Sequence, residues 1–309
     1  MSFNPLDHPE ILAEPEWLQD PGGWMQHIPF AFLIMKLTMP RNFVELGTHS
    51  GNSYCAFCQG AAMANTHSQC SAVDTWKGDR HSYEYPEQIF EQLSRYHAPR
   101  YGAFSQLLRM TFDEALEKFE ERSIDLLHID GLHTYEAVKH DFETWLPKMS
   151  DRGAVMFHDS AIYTSDFGVH QLMAELKPRF PHFQFEHGFG LSIFLVGDKP
   201  PAGLLQFITD ANARPQETRA LFHTLGRTIF ELFLKRSLTL QMLQVRQAII
   251  NWEQVSGIPI NTEAIKAQPV TDPQTALRSI WQQLEQLRHG LRKPQSGSTG
   301  PNFSIGRSG

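Results

Sequence analysis

The chain has 309 residues, 41% of them hydrophobic and 20% charged, with a formal net charge of -7. This is the composition of an ordinary globular protein, and the negative balance excludes a nucleic-acid partner held by bulk electrostatics. No apolar run reaches the length that crosses a bilayer.

The length admits one large domain with an extension, or two modest domains. The start, MSFNPLDHPE, has neither a basic n-region nor an apolar h-region, and the three cysteines are an odd count. Both features point to reduced thiols and a cytoplasmic location. Cys55 and Cys58 form a CxxC with no second ligand pair, so they read as small hydrophobes in helix packing.

In chain order, residues 1–40 read as a helical lead-in, with Trp17, Trp24, Ile28, Phe32 and Met35 on an apolar face and Pro29 near a helix start. Phe43 to Leu46 predicts the first strand and Ser53 to Asn65 a helix. Ser71 to Val73 predicts the second strand, Pro86 to Tyr96 a helix and Phe104 to Leu108 the third strand. Asp113 to Phe119 is a further helix. Ile124 to Ile129 is a strand ending in Asp130-Gly131, and Glu136 to Trp145 is a helix closed by Pro147. Gly153 to Phe157 is a strand ending in His158-Asp159, followed by a helix from Phe167 to Leu176. Phe183 to Glu186 and Leu191 to Val196 pair across a glycine-containing turn. Alternating strands and helices predict an α/β fold, a doubly wound, mostly parallel Rossmann-like sheet with an antiparallel edge.

After Lys199-Pro200-Pro201 the pattern becomes helical. Thr218 to Trp252 carries Leu221, Leu225, Phe230, Leu234, Leu238, Met242, Val245 and Ile249 at helical spacing. A second helix is expected from Pro273 to Leu291 and disorder from Pro294 onward. The expected division is 1–40 lead-in, 41–200 cofactor-binding domain, 201–293 helical extension and 294–309 tail. The apolar extension is also the expected contact of a homo-oligomer.

The stretch FVELGTHSG, residues 43–51, places Glu45, Gly47 and Gly51 at a strand-turn-helix junction. Glycines there let the backbone turn tightly and approach a ligand. Asp74 ends the next apolar run, where its carboxylate meets a ribose. The pair predicts an adenosine-containing cofactor. The E-x-G-x-x-x-G spacing differs from the dinucleotide GxGxxG and so counts against a pyrophosphate.

That spacing resembles the first motif of class I S-adenosylmethionine methyltransferases. HIPFA at 27–31, VELGTHSGNSYCAFCQ at 44–59, DTWKGDRH at 74–81, IDLLHIDGLHTYEAVKHDFETWLPK at 124–148, FHD at 157–159 and DFGV at 166–169 narrow the likeness. They resemble a bacterial group found with polysaccharide glycosylation genes, similar to metal-dependent macrolide-sugar O-methyltransferases. The likeness spans residues 25–197. It implies the cofactor S-adenosylmethionine, with contacts from Glu45, Gly47, Thr48, Gly51, Asp74, Thr75 and Asp130. It implies a sugar or glycoside hydroxyl as acceptor, and places Met110 and Thr111 near the adenine.

Asp130 and Asp159 stand at the carboxyl ends of strands expected to be neighbours, so their carboxylates can converge on Mg²⁺ or another divalent cation. His158 stands where the related pattern has an acidic residue, and its imidazole suits a borderline metal. His133, three residues beyond Asp130, is the candidate general base for an acceptor hydroxyl. His128 lies inside a strand and reads as a core histidine. His140 and Asp141 read as surface or supporting residues, and Tyr135 as a loop or acceptor contact. Trp76, Asp79 and His81 read as a wall of the adenine or acceptor side. Two other readings stand beside methyl transfer: a metal-dependent hydrolase built on the His/Asp cluster, and a non-catalytic methyltransferase-like scaffold.

Overall fold

The computed structural model describes residues 3–82, 84–164 and 166–256. The helix expected at 273–291 and the tail from 294 lie outside the described residues, as do the side chains of Ile249 and Trp252. Contacts divide the chain into Met1–Phe233 and Leu234–Gly309.

The first unit is built on seven strands. They are β1 (Asn42–Leu46), β2 (Gln69–Asp74), β3 (Ser105–Arg109), β4 (Ile124–Ile129), β5 (Met149–His158), β6 (His182–Phe185) and β7 (Leu191–Leu195), in the sheet order β3-β2-β1-β4-β5-β7-β6. β1 to β5 are parallel, and β7 runs antiparallel to both β5 and β6. This is the expected doubly wound sheet with its antiparallel edge. The order reverses between β1 and β4, and a crevice opens outside the carboxyl ends of the strands at such a switch point. Leu46 pairs with both Val73 and Ile129, and Ile129 pairs with Phe157. The residues just past those positions, Gly47, Asp74, Asp130 and His158-Asp159, therefore come level at one edge.

β4 is buried at every residue, which is why it reads as an almost unbroken apolar run. Its one acidic residue, Asp125, accepts from the Arg41 backbone amide at 2.8 Å and from the Arg41 guanidinium at 3.1 Å. Side chains alternate between two cores. Phe43, Leu126, Ala154, Met156 and Ile193 face one core, together with α1 (Ile28–Thr38) and α2 (Asn52–Ala64). Val44, Leu46, Leu127, Ile129, Val155 and Phe157 face the other, with α5 (Tyr135–Trp145) and α6 (Val169–Leu176). Each large side chain buried there contributes roughly 1.5–3 kcal/mol. α3 (Glu87–Tyr101) and the short α4 (Phe112–Ala115) complete the alternation. Cys55, Cys58 and Cys70 are buried free thiols in these elements, consistent with packing.

α7 (Ala202–Ala213) is additional to the elements expected from the sequence. Its buried positions, Leu204, Phe207, Ile208 and Ala211, follow helical spacing, and they join Phe222 and Ile229 of α8 (Pro215–Ser256) in the first core. Helices beyond residue 200 thus enter the core of the sheet unit. Of the second unit, the described part is the continuation of α8 from residue 234 to 256. Among the described residues no helix is long and apolar enough to cross a membrane.

Candidate active site

The turn after β1 is closed by main-chain bonds and one carboxylate. The Gly47 amide donates to the Val73 carbonyl at 2.9 Å, and the Asp130 amide to the Leu46 carbonyl at 2.8 Å. Gly47 has φ +88, and a Cβ there would lie 2.1 Å from the Asp130 carbonyl oxygen. Glycine is required on both counts. Gly51, also at positive φ, serves a different neighbour: a Cβ would meet Leu93 of α3 at 2.4 Å. Its role is to seat α2 against α3, and it lines neither cavity described below.

Asp74 accepts from the amides of Thr48 at 2.8 Å, His49 at 2.9 Å and Trp76 at 2.7 Å. Three of the roughly four acceptor positions of a carboxylate are therefore taken, and Asp74 holds the turn shut as well as facing the cleft. Trp76, expected as a wall, is buried behind that turn and donates its indole N–H to the His49 carbonyl at 2.9 Å.

Two cavities open along this edge. One, of about 230 Å³, is lined by Gly47, Asp74, Thr75, Asp79, Thr111 and Phe112, among others. The other, of about 660 Å³, is lined by Thr48, Ser50, His81, His133, His158 and Asp159, among others. Gly47, His49, Tyr85 and Asp130 line both, so the two adjoin there. Met110 lines neither, whereas Thr111 lines the smaller while capping α4. The N-terminal segment walls the larger cavity with Asp20, Pro21, Gly23 and Trp24. It is pinned to the start of α2 by Asn52, which donates to the Gln19 carbonyl at 2.7 Å, and to the preceding turn by Trp17, whose indole N–H donates to the Ser50 carbonyl at 2.8 Å. Sequence reasoning does not find Asp20, Tyr85 or Phe167 as cavity residues. They come from loops with no motif spacing, and only DFGV at 166–169 signals the last.

Glu45 takes a different place from the one expected. Strand alternation turns it away from the cleft into the core, where it is fully buried and 2.9 Å from His128 Nδ1. The Trp24 indole N–H donates to His128 Nε2 at 3.2 Å, so Nδ1 carries the His128 proton toward Glu45. His128 is thus a fully partnered core histidine. Burial pushes the Glu45 carboxyl up, against the pull of His128.

At the ends of β4 and β5 the side chains converge. His133 Nε2 lies 2.8 Å from Asp159 Oδ2 and 3.3 Å from Asp130 Oδ1. His158 Nδ1 lies 3.3 Å from Asp130 Oδ1 and 3.4 Å from Asp159 Oδ1, while its Nε2 donates to the Gly188 carbonyl at 3.0 Å. Asp159 itself has φ +55, a left-handed backbone that aims its carboxylate inward. Burial disfavours every charge here, yet the pairs outweigh it. His133 is pushed up to about 9 by Asp130 and Asp159, and His158 is raised well above the usual imidazole range by the same two carboxylates. His158 and His133 in turn hold Asp130 well below the carboxylate range and Asp159 down to about 2. His27 lies on the far side of His158 and also points its Nε2 at the Gly188 carbonyl, at 3.0 Å. Burial, followed by repulsion from His158 and His187, drives it well below the ordinary range, which keeps it neutral.

Asp130, His133 and Asp159 each offer one ligand atom, all within 4.8 Å of one another. Two carboxylates and an imidazole in that compass fit a divalent cation, and the nitrogen favours a borderline ion over a strictly oxygen-seeking one. Tyr135 points away from the cleft, donating its hydroxyl to Glu175 and receiving Lys139 at 2.7 Å. His140 is exposed beside Asp113.

Residues 44–160 match the family model described as a methyltransferase domain. Over those residues the chain is similar to a methyltransferase domain. An uncharacterized protein of Sinorhizobium fredii, y4gI, is 43% identical over 193 residues, which make up 62% of this chain and 21% of the relative. The chain thus spans about a fifth of that relative's length. Among solved structures, the S-adenosylhomocysteine-bound methyltransferase PaMTH1 of Podospora anserina is similar at 15% identity and a TM-score of 0.41, over 54% of this chain and 76% of that one. A putative caffeoyl-CoA O-methyltransferase from Staphylococcus aureus aligns at 15% identity and a TM-score of 0.42, over 62% of this chain and 90% of that one. TomG of Streptomyces achromogenes aligns at 13% and 0.42, over 59% and 82%.

Proposed function

We propose that this methyltransferase domain moves the methyl group of S-adenosylmethionine to a hydroxyl of a sugar or glycoside, with His133 as the general base. The supporting observation is the continuity of the two cavities across Gly47 and Asp130, with His133 on the far side. An adenosine in the smaller cavity meets Asp74, Thr75 and the Thr111-Phe112 edge. Its methionyl part then lies along the glycine turn in the larger cavity, beside Thr48. The sulfonium methyl faces the loop that carries His133.

Asp130 and Asp159 hold the Nε2 side of His133, which leaves Nδ1 without a protein partner. His133, raised to about 9 by those carboxylates, first releases a proton to solvent, and its neutral imidazole then takes the proton of the acceptor hydroxyl as the oxygen attacks the methyl carbon and the sulfur departs with the bonding pair. A divalent ion on Asp130, Asp159 and an imidazole of His133 or His158 would favour the developing alkoxide and compete with the imidazolium for the same oxygens. The acceptor is a small molecule or saccharide, and copies associate through the helical extension.

Calorimetric titration with S-adenosylhomocysteine tests the cofactor. Binding in the micromolar range is the expected result, and absence of heat at millimolar ligand overturns the reading in favour of a hydrolase.

A further inference from the structure

The larger cavity has a wall that the reaction as described leaves unused. It is the turn between β6 and β7, where Gly188, Phe189 and Gly190 follow one another at φ +56, +70 and +93. Glycine adopts that region at no steric cost, whereas a side chain as bulky as phenylalanine is strained there. Such a residue persists only where its surroundings fix the backbone, and here they do. The Gly188 carbonyl accepts from both His27 and His158 at 3.0 Å, and the Phe189 carbonyl accepts from the Ala161 amide at 2.9 Å. The Gly190 amide donates to the His187 carbonyl at 2.9 Å. The turn is thereby tied to the loop that carries Asp159.

Phe189 is 56% exposed and lines the larger cavity. A single exposed apolar side chain is ordinary. One held on a strained backbone in the wall of a cleft points to a ligand. Its ring reaches the N-terminal segment at Gly23, where a Cβ would lie 3.3 Å from Phe189 Cε2. Pro21, two residues before Gly23, and Ile162, next to Ala161, line the same cavity, Pro21 exposed and Ile162 half-buried. His158 and Asp159 of that cavity are buried. It therefore grades from charged groups inside to an apolar mouth. α8 braces the mouth, with Gly226 packed on the Gln26 carbonyl and the His223 ring 5.5 Å from that of His187. Pro21, Ile162 and Phe189 all lie outside residues 44–160, the extent of the methyltransferase-domain match.

We propose that Phe189 sets acceptor specificity: its ring, with Pro21 and Ile162, takes an apolar aglycone while a hydroxyl of the attached sugar reaches His133. The proposal rests on the methyl-transfer reading above and narrows its acceptor to glycosides of alkyl or aryl alcohols. A free sugar or a methyl glycoside leaves the Phe189 ring in water. A longer aglycone covers the ring, and both lose apolar surface to solvent.

The experiment follows S-adenosylhomocysteine release from S-adenosylmethionine with methyl, butyl and phenyl glycosides of common hexoses. The unaltered protein is expected to favour the butyl and phenyl glycosides over the methyl glycoside by about tenfold in kcat/KM, the effect of roughly two buried methylenes. KM should carry the difference, with kcat within about threefold. In Phe189→Gly the preference should fall to within about twofold, and Phe189→Tyr, which keeps the ring, should retain it. Glycine relieves the positive φ, so Phe189→Gly should melt no lower than the unaltered protein. Equal kcat/KM for methyl and longer glycosides in the unaltered protein, or a preference that survives Phe189→Gly, overturns the proposal. A preference lost together with S-adenosylhomocysteine affinity, or with a fall in Tm, marks a structural role for the ring and overturns it too. If the cofactor product binds and no glycoside is methylated, the saccharide reading falls and the aglycone assignment with it. If the product does not bind, the methyl-transfer reading has failed first.

Discussion

The two halves of the cleft are held together by different forces. The half around Gly47 and Asp74 is made of main chain: three amides on one carboxylate, and a glycine where any side chain would strike the Asp130 carbonyl. The half around Asp130 and Asp159 is made of side-chain charge, two carboxylates against two imidazoles, with neutral His27 behind them. The first half has one shape and little freedom, which suits a cofactor that never varies. The second half can exchange protons and ligands, which suits chemistry. Perturbing one should damage binding, and perturbing the other should damage turnover.

Excess chelator gives the strongest expected separation. Transfer should be lost completely and restored by a divalent ion, while S-adenosylhomocysteine affinity stays constant; unchanged turnover in chelator would leave Asp130 and Asp159 without a metal. His133→Ala comes next, with turnover lower by about 10²–10⁴-fold and cofactor affinity retained in calorimetry. A variant with full turnover would remove His133 from proton transfer.

Gly47→Ala should act on the other half. The new Cβ must displace backbone at a positive φ, a strain of about 1–3 kcal/mol, so Tm should fall by roughly 3–10 °C and cofactor affinity at least tenfold. Unaltered affinity would show that the turn does not touch the ligand.

A smaller effect belongs to Asp141, buried on α5 with its carboxyl pushed up to about 7 by burial, with nearby Asp113 adding to the rise against the pull of His140. The folded state keeps this proton where the unfolded chain has released it, so stability falls as pH rises from about 4 to about 7 and levels off above. Asp141→Asn should remove that slope and be the more stable protein above pH 7, read from urea midpoints across pH. The smallest expected change is Glu45→Gln, which keeps an acceptor for His128. Cofactor affinity should stay within about twofold, because an altered neutral hydrogen bond is worth about 1 kcal/mol of folding stability and nothing at the cleft. A large loss of affinity would return Glu45 to the cofactor site.

The strand ends were legible in the sequence because they obey local rules. An apolar run followed by Asp-Gly or His-Asp marks a strand end and its loop, and β4 was bounded residue for residue at Ile124 and Ile129. Gly47 was legible for the same reason. The neighbours of Gly51 and Glu45 were not legible, because a motif does not say what lies across from each residue. One meets Leu93 and the other His128, contacts between segments far apart in the chain. α7 was missed because its apolar spacing is short and begins directly after two prolines.

By itself the sequence determined the alternation of strands and helices, the glycine turn and the acidic residues that follow the strands, since backbone geometry and hydrophobic period act over a few residues at a time. Only the tertiary structure decided which carboxylate holds a turn, which histidine is neutral and which charged, and that the rings of His81, Phe167 and His133 lie parallel to one another. Those properties depend on burial and on distances of a few ångströms between segments that the chain brings together only when the sheet is complete.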